Sequence, residues 1–130
     1  RAMSLAPGKK RVSSMAPSIL FRDGRPAMVI GAPGGSNIPM GILQVILNVV
    51  DFSMSIVEAV DAPRVAATGN VVDASHRIPG RTCDALRARG YDVVRSAQSY
   101  LVARPHAILL EGNCLTGAAD PSAGGMALLV

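Results

Sequence analysis

The pattern of apolar and polar positions predicts a hairpin followed by a helix near the start of the chain. Residues 18–21 and 27–30 are short, largely apolar runs, and Asp23-Gly24 between them favours the positive φ angles of a tight hairpin turn. The second run is continuously apolar, which is typical of a strand whose sheet is covered on both faces. Residues 38–52 predict a helix that is apolar nearly all round and therefore buried.

Further residues mark where helices begin and end. Ser36 or Asn37 is expected to cap the first helix. Ser55 and Glu58 have the spacing of a capping box, which predicts a short second helix that ends near residue 61, before a proline. Gln44 and Asn48 lie one helical turn apart and form the polar stripe of the first helix.

The second half of the chain predicts one more helix and several short strands. The helix covers residues 79–89, with proline at its start and Gly90 as its left-handed stop. Residues 71–72, 91–94, 100–102 and 126–130 are strand-like, and residues 106–110 and 114–117 predict a second hairpin. The fold class is therefore α+β with a largely antiparallel sheet. A sheet this apolar needs a further layer from elsewhere.

The composition indicates the size of the domain and the type of core, but it does not indicate a function. The 130 residues suit one domain, or a piece of one, in which residues 1–12 form an incoming linker. Apolar residues make up 49% and aromatic residues 3%, so the core must be aliphatic. No run of eighteen apolar residues occurs, so no membrane span is predicted.

The net charge of +4 raises the alternative of a nucleic-acid-binding module. Most of the basic residues are scattered, and no aromatic residues interleave with them to stack on bases. A solvated surface, or one that meets an acidic partner, explains the charge without nucleic acid.

Cysteines and histidines do not predict a metal or catalytic centre. Cys83 and Cys114 form no CxxC pair, and two thiols alone do not make a metal site. A disulfide between them is one alternative, and two buried free thiols are the expected state. His76 and His106 lack a carboxylate at a spacing that announces a triad, and we interpret both as structural. No cofactor is predicted.

Three charged residues are interpreted as structural. Asp61 and Arg64 are close enough in sequence to form an internal ion pair that fixes a helix end. Asp120, which precedes a proline, is expected to begin a turn.

The glycine-rich residues 31–37, the glycine turn, carry the clearest chemical signal. They connect an apolar strand to an apolar helix, and such a connection leaves backbone N–H groups able to hold an anion or a developing negative charge. The turn is neither G-x-G-x-x-G nor a P-loop, because it lacks the lysine, so a nucleotide site is not expected. A tight connection with glycines for backbone reasons alone is equally consistent with the spacing.

Ser13 and Ser14 lie just upstream and could donate two hydrogen bonds to a carboxylate. Adjacent residues of a strand point to opposite faces, so both bind one ligand only if the backbone is irregular there. Solvent exposure or capping is the alternative interpretation. No nucleophile with an activating base is evident.

Several motifs together resemble the C-terminal part of the small subunit of gamma-glutamyltranspeptidases. They occur in one order over nearly the whole chain: Pro7-Gly8-Lys9-Lys10-Arg11, Ser13-Ser14-Met15-Ala16-Pro17, Asp23-Gly24, Gly31-Ala32-Pro33-Gly34-Gly35-Ser36, Leu43-Gln44-Val45, Asn48-Val49-Val50-Asp51-Phe52, Glu58-Ala59-Val60-Asp61-Ala62-Pro63-Arg64 and Gly117-Ala118-Ala119-Asp120-Pro121.

The resemblance implies a four-layer αββα N-terminal nucleophile hydrolase that cuts its own precursor to expose a catalytic threonine. The N–H groups of Gly34 and Gly35 would form the oxyanion hole, Ser13 and Ser14 would bind the substrate carboxylate, and Met15 would line the pocket. The threonine is expected to lie outside this chain. The implied partners are the large subunit, the N-terminal part of the small subunit and a γ-glutamyl or related amide substrate, with no nucleic acid or membrane.

One departure from the family pattern concerns the substrate. After Arg64 the transpeptidases usually continue with histidine-rich, tryptophan-containing sequence, whereas this chain has residues 65–69, Val-Ala-Ala-Thr-Gly. This favours a divergent subgroup, such as an acylase or amidohydrolase with another substrate. A non-catalytic binding domain on the same scaffold is the remaining alternative.

Overall fold

In a computed structural model, residues 4–67, 69–100 and 102–128 are described, and they form two sheets and three α-helices. The elements in chain order are β1 (Ser18–Arg22), β2 (Arg25–Gly31), α1 (Ile38–Val50), α2 (Ile56–Asp61), β3 (Val65–Ala66), β4 (Val71–Ala74), α3 (Gly80–Ala88), β5 (Asp92–Arg95), β6 (His106–Glu111) and β7 (Cys114–Ala119). Short 3-10 turns cover Gly35–Asn37 and Pro121–Ala123.

The larger sheet has four antiparallel strands in the order β1-β2-β6-β7. Both predicted hairpins are confirmed, and the turn between β1 and β2 has φ values of 52° at Asp23 and 76° at Gly24. These positive values suit aspartate and glycine better than other residues. The two hairpins pair with each other through β2 and β6. All four strands therefore begin or finish at the same two ends of the sheet.

Helices α1 and α2 cover one face of this sheet and form the main core with it. Met28 and Ile30 of β2 are buried in the same cluster as Ile42 and Val45 of α1 and Ala59 of α2. The capping box at the start of α2 is confirmed, because Ser55 and Glu58 exchange the expected hydrogen bonds. The core is aliphatic, as the composition predicts.

The prediction that α1 is buried all round is wrong. Leu43, Leu47 and Val50 lie on its outer side and are exposed. The polar stripe instead faces a neighbour, because the Gln44 side chain bonds both the N–H and the carbonyl of Val65, at 2.9 and 2.8 Å. Asn48 Nδ2 donates to the Ala59 carbonyl at 3.4 Å. The polar stripe therefore joins α1 to β3 and α2.

The smaller sheet has the order β3-β4-β5, with β4 and β5 parallel. Helix α3 connects these two strands, as a parallel connection requires. Gly90 ends the helix with a φ of 90°, as predicted. Cys83 on α3 is buried with Ala74 and Val93. These three strands and α3 form a small lobe, which begins with β3, inside residues 65–69 where the chain departs from the transpeptidase pattern.

Several local predictions are wrong in the described part of the chain. Tyr100 and Val102 are not in a strand, and residues 126–128 are irregular; residues 101, 129 and 130 lie outside the described residues. Cys83 and Cys114 are both free, but Cys114 is exposed rather than buried. A short apolar run becomes a strand only where a neighbouring strand can pair with it, and that neighbour is not encoded locally.

Candidate active site

Four chain segments meet at one end of the larger sheet. Ser18, which begins β1, pairs with Ile30 near the end of β2, and His106, which begins β6, pairs with both Gly31 and Ala119. The segments that leave these strand ends are therefore neighbours: residues 13–17, 31–37, 102–105 and 120–123. The topology thus brings residues 13–17, the serine motif, to the same end of the sheet as the glycine turn.

The glycine turn presents two consecutive backbone N–H groups without a partner. Among the described residues, no hydrogen bond uses the N–H of Gly34 or Gly35 as donor, and both residues are exposed. Gly34 has φ 152° and ψ 14°, and Gly35 has φ 58°. The turn is closed on its other side, because the Asn37 N–H donates to the Gly34 carbonyl at 3.2 Å. The two free N–H groups at the start of a helix suit an anion or a developing oxyanion.

Asn37 does not cap α1 with its side chain, and neither does Ser36, so that prediction is wrong. The second residue of the helix is Pro39, which has no N–H to offer to a cap. The Asn37 Oδ1 atom is buried, and no partner lies within hydrogen-bond distance in the described part of the chain. An acceptor in this state is available to a donor from outside the described residues.

The three residues predicted to contact substrate lie in the segment before β1. The Ser13 Oγ atom accepts a hydrogen bond from the Met15 N–H at 3.2 Å, within a segment that has no regular secondary structure. Ser14 is half-buried, and Met15 is 66% exposed. Residues 11–17 lie in neither a helix nor a strand, so the alternation of side chains along a strand does not separate the two hydroxyls. Among the described residues, neither serine forms a hydrogen bond with the glycine turn.

A buried ion pair between Arg64 and Asp120 lies behind the glycine turn. The Arg64 guanidinium donates to the Asp120 carboxylate and to the carbonyl of Ala103, the latter at 3.3 Å. The other Asp120 oxygen accepts from the Ser122 N–H at 2.9 Å. The expected internal pair between Asp61 and Arg64 is therefore wrong, because Arg64 turns toward the core. Asp120 does begin a turn, and it is also the buried counter-ion of Arg64.

Asp61 pairs instead with Arg77 at the surface. The closest of their two side-chain hydrogen bonds is 2.7 Å, and the Tyr100 ring lies 5.1 Å from the Arg77 guanidinium carbon. Hydrogen bonding to Arg77 lowers the pKa of Asp61, against an opposing effect of desolvation. The same pair raises the pKa of Arg77. This cluster joins the end of α2 to the small lobe and lies outside the glycine turn.

Histidines and cysteines do not form a reactive cluster in the described part of the chain. No hydrogen bond there uses the side chain of His76 or His106. No group of three or more potential metal ligands occurs among residues 4–67, 69–100 and 102–128. In the same ranges, no helix is long and apolar enough to cross a bilayer.

Comparison with known proteins identifies the family. The model of the gamma-glutamyltranspeptidase family matches residues 1–130. The chain belongs to the gamma-glutamyltranspeptidase family. Its larger sheet, with helices on one face, is the sheet-and-helix arrangement of the solved transpeptidases. The structure of the gamma-glutamyltranspeptidase of Pseudomonas nitroreducens, complexed with L-DON, matches the whole chain with a TM-score of 0.84 and 36% identity, and the match covers 69% of that chain.

Relatives within the transpeptidase family include both glutathione hydrolases and acylases. The chain is 37% identical over 134 residues to the glutathione hydrolase proenzyme of Pseudomonas aeruginosa, covering 99% of this chain and 24% of that protein. It is 47% identical over 96 residues to the acylase ACY 1 proenzyme of Pseudomonas sp. strain SE83, covering 74% of this chain and 17% of that protein. The chain therefore spans less than a quarter of the length of these relatives.

The sequence does not predict two features of this candidate site. The first is the pair of Arg64 and Asp120, 56 residues apart. The second is the close approach of Ala103 to the glycine turn, where a Cβ atom on Gly34 would lie 2.6 Å from the Ala103 Cα atom. Arg64 was distinguishable as an arginine in an otherwise apolar stretch, and Asp120 as an acid that follows small strand residues. Nothing local marks Ala103, since an alanine contributes no pattern of its own.

Proposed function

We propose that this chain is the C-terminal part of the small subunit of a gamma-glutamyltranspeptidase-like amidase. In this proposal, Gly34 and Gly35 stabilise the negative oxygen that forms when an amide carbonyl is attacked. The observation that carries it is the pair of adjacent, exposed N–H groups without a partner in the described chain, at a turn from strand into helix. Removal of one such donor costs roughly 3–4 kcal/mol of transition-state stabilisation in known hydrolases.

Ser13, Ser14 and Met15 form the substrate side of the site in this proposal. The hydroxyl groups donate to the carboxylate of the acyl group, and the Met15 side chain lines the pocket. The irregular backbone around Ser13 and the shared end of the sheet support this arrangement. The Ser13 oxygen that accepts from Met15 still has its own proton to donate.

The nucleophile comes from the remainder of the enzyme in this proposal. In the described residues, the Ser55 and Ser122 hydroxyls both bond carboxylates, but each belongs to a helix cap rather than to a catalytic pair. A threonine whose own α-amine acts as base needs no partner from this chain. We therefore expect no turnover by residues 1–130 alone, and γ-glutamyl-anilide hydrolysis by that purified polypeptide would contradict this expectation.

The outer face of the larger sheet supports a requirement for the rest of the enzyme. Ile19, Val29, Ile108 and Leu115 lie on this face and are between 43% and 60% exposed. An open cavity of about 740 Å³ lies against the same face, beside residues 126–128. A second sheet from the remainder of the protein, stacked on this face, would complete the αββα sandwich.

An acylase with another acyl group is the second candidate function. Its support is the 47% identity to the acylase ACY 1 proenzyme. The structure of the cephalosporin acylase of Bacillus halodurans also matches, with a TM-score of 0.74 and 28% identity over 79% of this chain and 20% of that one. The departure from the transpeptidase pattern after Arg64 fits this candidate as well.

Three anilide substrates distinguish these functions in the intact, processed protein. The γ-glutamyl anilide carries an α-carboxylate and an α-amine, the glutaryl anilide carries the carboxylate alone, and the butyryl anilide carries neither. A transpeptidase should prefer the γ-glutamyl anilide, whereas an acylase should accept the glutaryl anilide at least as well. Hydrolysis of none of the three would contradict both candidates and would favour a non-catalytic domain.

The double variant Ser13→Ala, Ser14→Ala tests the carboxylate contact in the same assay. Hydrogen bonds to a charged group contribute about 1.5–3 kcal/mol each. We expect the variant to lose its preference for carboxylate-bearing substrates over the butyryl anilide. If kcat/KM for all three substrates stays unchanged, these serines do not bind the carboxylate.

A further inference from the structure

Ala103 packs directly against the glycine turn and against the first turn of α1. It is 3% exposed, in the segment that leads into β6. A Cβ atom on Gly34 would lie 2.6 Å from the Ala103 Cα atom, and one on Gly41 would lie 2.7 Å from the Ala103 Cβ atom. Both distances are too short for real carbon atoms, so one alanine requires glycine at both positions.

Three hydrogen bonds hold residues 103–105, the segment that contains this alanine. The Arg104 N–H donates to the Pro33 carbonyl at 2.9 Å, directly before Gly34. Arg64 donates to the Ala103 carbonyl at 3.3 Å, and the Asp120 N–H donates to the Pro105 carbonyl at 2.9 Å. The segment is therefore tied to the glycine turn, to the buried ion pair and to the end of β7.

We propose that Ala103 is a positioning residue that sets the direction of the Gly34 and Gly35 N–H groups. The inference rests on the proposed function, in which those groups receive a developing oxyanion. Glycine at position 34 has access to many backbone conformations. The Ala103 methyl group lies against one side of Gly34, and the Arg104–Pro33 hydrogen bond holds the chain just before it. These two contacts select one conformation before substrate binds.

The size of the Ala103 side chain is critical in this arrangement. A methyl group fills the space between residues 102–105 and the two glycines. Glycine at position 103 would leave a gap and allow the turn to move, and a larger side chain would push it away. Oxyanion stabilisation requires N–H donors that point at the position of the oxyanion before the reaction begins. A displacement of such groups by about 1 Å can lower the rate roughly a hundredfold.

A swap of one methyl group across this contact tests the proposal in the intact, processed enzyme. Gly41→Ala places a methyl group against Ala103, and we expect kcat to fall roughly ten- to a hundredfold. The same N–H groups serve formation and breakdown of the acyl-enzyme, so both steps should slow together and KM should change little. Ala103→Gly should lower kcat less, because it loosens the contact without a clash.

The double variant Gly41→Ala, Ala103→Gly should recover most of the lost kcat. Without the Ala103 methyl group, the nearest atom to a Cβ on Gly41 is the Ala103 Cα atom at 3.6 Å, which is an ordinary contact. Gly80→Ala is the matched control, since a Cβ at this helical glycine meets nothing within 4 Å. The control should retain the wild-type kcat. Recovery in the double variant cannot come from general helix stabilisation, which both Gly→Ala changes share.

Failure of this proposal is distinguishable from failure of the proposed function. An inactive wild-type enzyme on all three anilides contradicts the proposed function and this inference together. An active wild type whose kcat is unaffected by Gly41→Ala and Ala103→Gly overturns the role of Ala103 alone, as does a double variant no better than Gly41→Ala. If Gly41→Ala fails to fold, Ala103→Ser replaces it, and an unchanged kcat in that variant overturns the proposal.

Discussion

Arg64 and Asp120 form an ion pair in which the two side chains are only 4% and 0% exposed. Arg64 also donates to the Val60 carbonyl at 2.5 Å, and Asp120 accepts from both the N–H and the hydroxyl of Ser122. The pair thus joins the residues that follow α2 to the end of β7. Arg64 also donates to the carbonyl of Ala103, in the segment that contacts the glycine turn. Two charges withdrawn from water are tolerated because each has several partners.

Loss of one partner of this pair should strongly destabilise the protein. We expect Asp120→Asn to lower the free energy of unfolding by about 3–5 kcal/mol, because it leaves the Arg64 charge buried without its counter-ion. Urea denaturation of the intact protein measures the change. Asp84→Asn is the control: its ion pair with Arg87 is at the surface, and its loss should cost less than about 1 kcal/mol. Equal losses in the two variants would contradict a structural role for the buried pair.

Alanine at the two glycines of the turn should have unequal effects. Gly34→Ala brings a Cβ atom against the Ala103 backbone at 2.6 Å, whereas a Cβ on Gly35 meets nothing within 4 Å. Gly35→Ala should therefore lower the free energy of unfolding by only about 1–2 kcal/mol, the cost of a left-handed backbone conformation in alanine. We expect Gly34→Ala to impair folding or activity much more severely, as judged by melting temperature and anilide hydrolysis. A Gly35→Ala variant at least as impaired as Gly34→Ala would contradict this order.

The Gln44 side chain should be needed for attachment of β3 to α1. Gln44→Met removes a donor and an acceptor and leaves two half-buried backbone groups of Val65 without partners. The expected loss is roughly 2–4 kcal/mol of unfolding free energy. Leu43→Met, one position away on the exposed side of α1, is the control and should change stability little. A similar stability for both variants would show that water replaces Gln44 at Val65.

The ion pair between Asp61 and Arg77 should make stability depend on acid pH. Hydrogen bonding to Arg77 holds the pKa of Asp61 below its ordinary value, so the folded state binds a proton less readily than the unfolded state. The stabilisation is present at neutral pH and is lost as the pH falls below about 4, through the pKa of the folded state. Asp61→Asn should therefore be less stable than the wild type at pH 7, by at most about 1 kcal/mol because the pair is half-exposed.

The difference between Asp61→Asn and the wild type should shrink when urea denaturation is repeated near pH 3. An Arg77→Met background provides the control, since Asp61→Asn should have little effect at either pH once its partner is absent. A difference that persists at low pH, or in that background, would show that Asp61 acts through another contact.

Most features that depend on neighbouring residues were predicted correctly, although Ser36 and Asn37 do not cap α1 as expected. The Asp23-Gly24 turn, the capping box at Ser55 and the helix stop at Gly90 each depend on backbone preferences within a few residues. The glycine turn belongs to this class as well, because its free N–H groups follow from a short strand-to-helix connection. Its assignment as an oxyanion hole came from the resemblance to a family, and stays a proposal.

Features that depend on distant partners were not predicted. The strand expected at residues 100–102 has no partner in the described part of the chain, and β5 pairs in parallel with β4 only because α3 carries the chain back beside it. The exposed side of α1 was also missed, since an apolar pattern does not say which side a neighbour covers. Arg64 pairs with Asp120 rather than with Asp61, which is nearer in sequence, because the fold places the Arg64 side chain in the core.

The sequence alone determined the local elements, the aliphatic character of the core and the chemical groups available near the glycine turn, since these follow from side-chain type and backbone preference over short distances. Tertiary structure decided which of those groups became neighbours. The antiparallel register placed the serine motif, the glycine turn, Ala103 and Asp120 at one end of the sheet. Contacts between residues far apart in the chain depend on how all the strands pair at once, and no short segment contains that information.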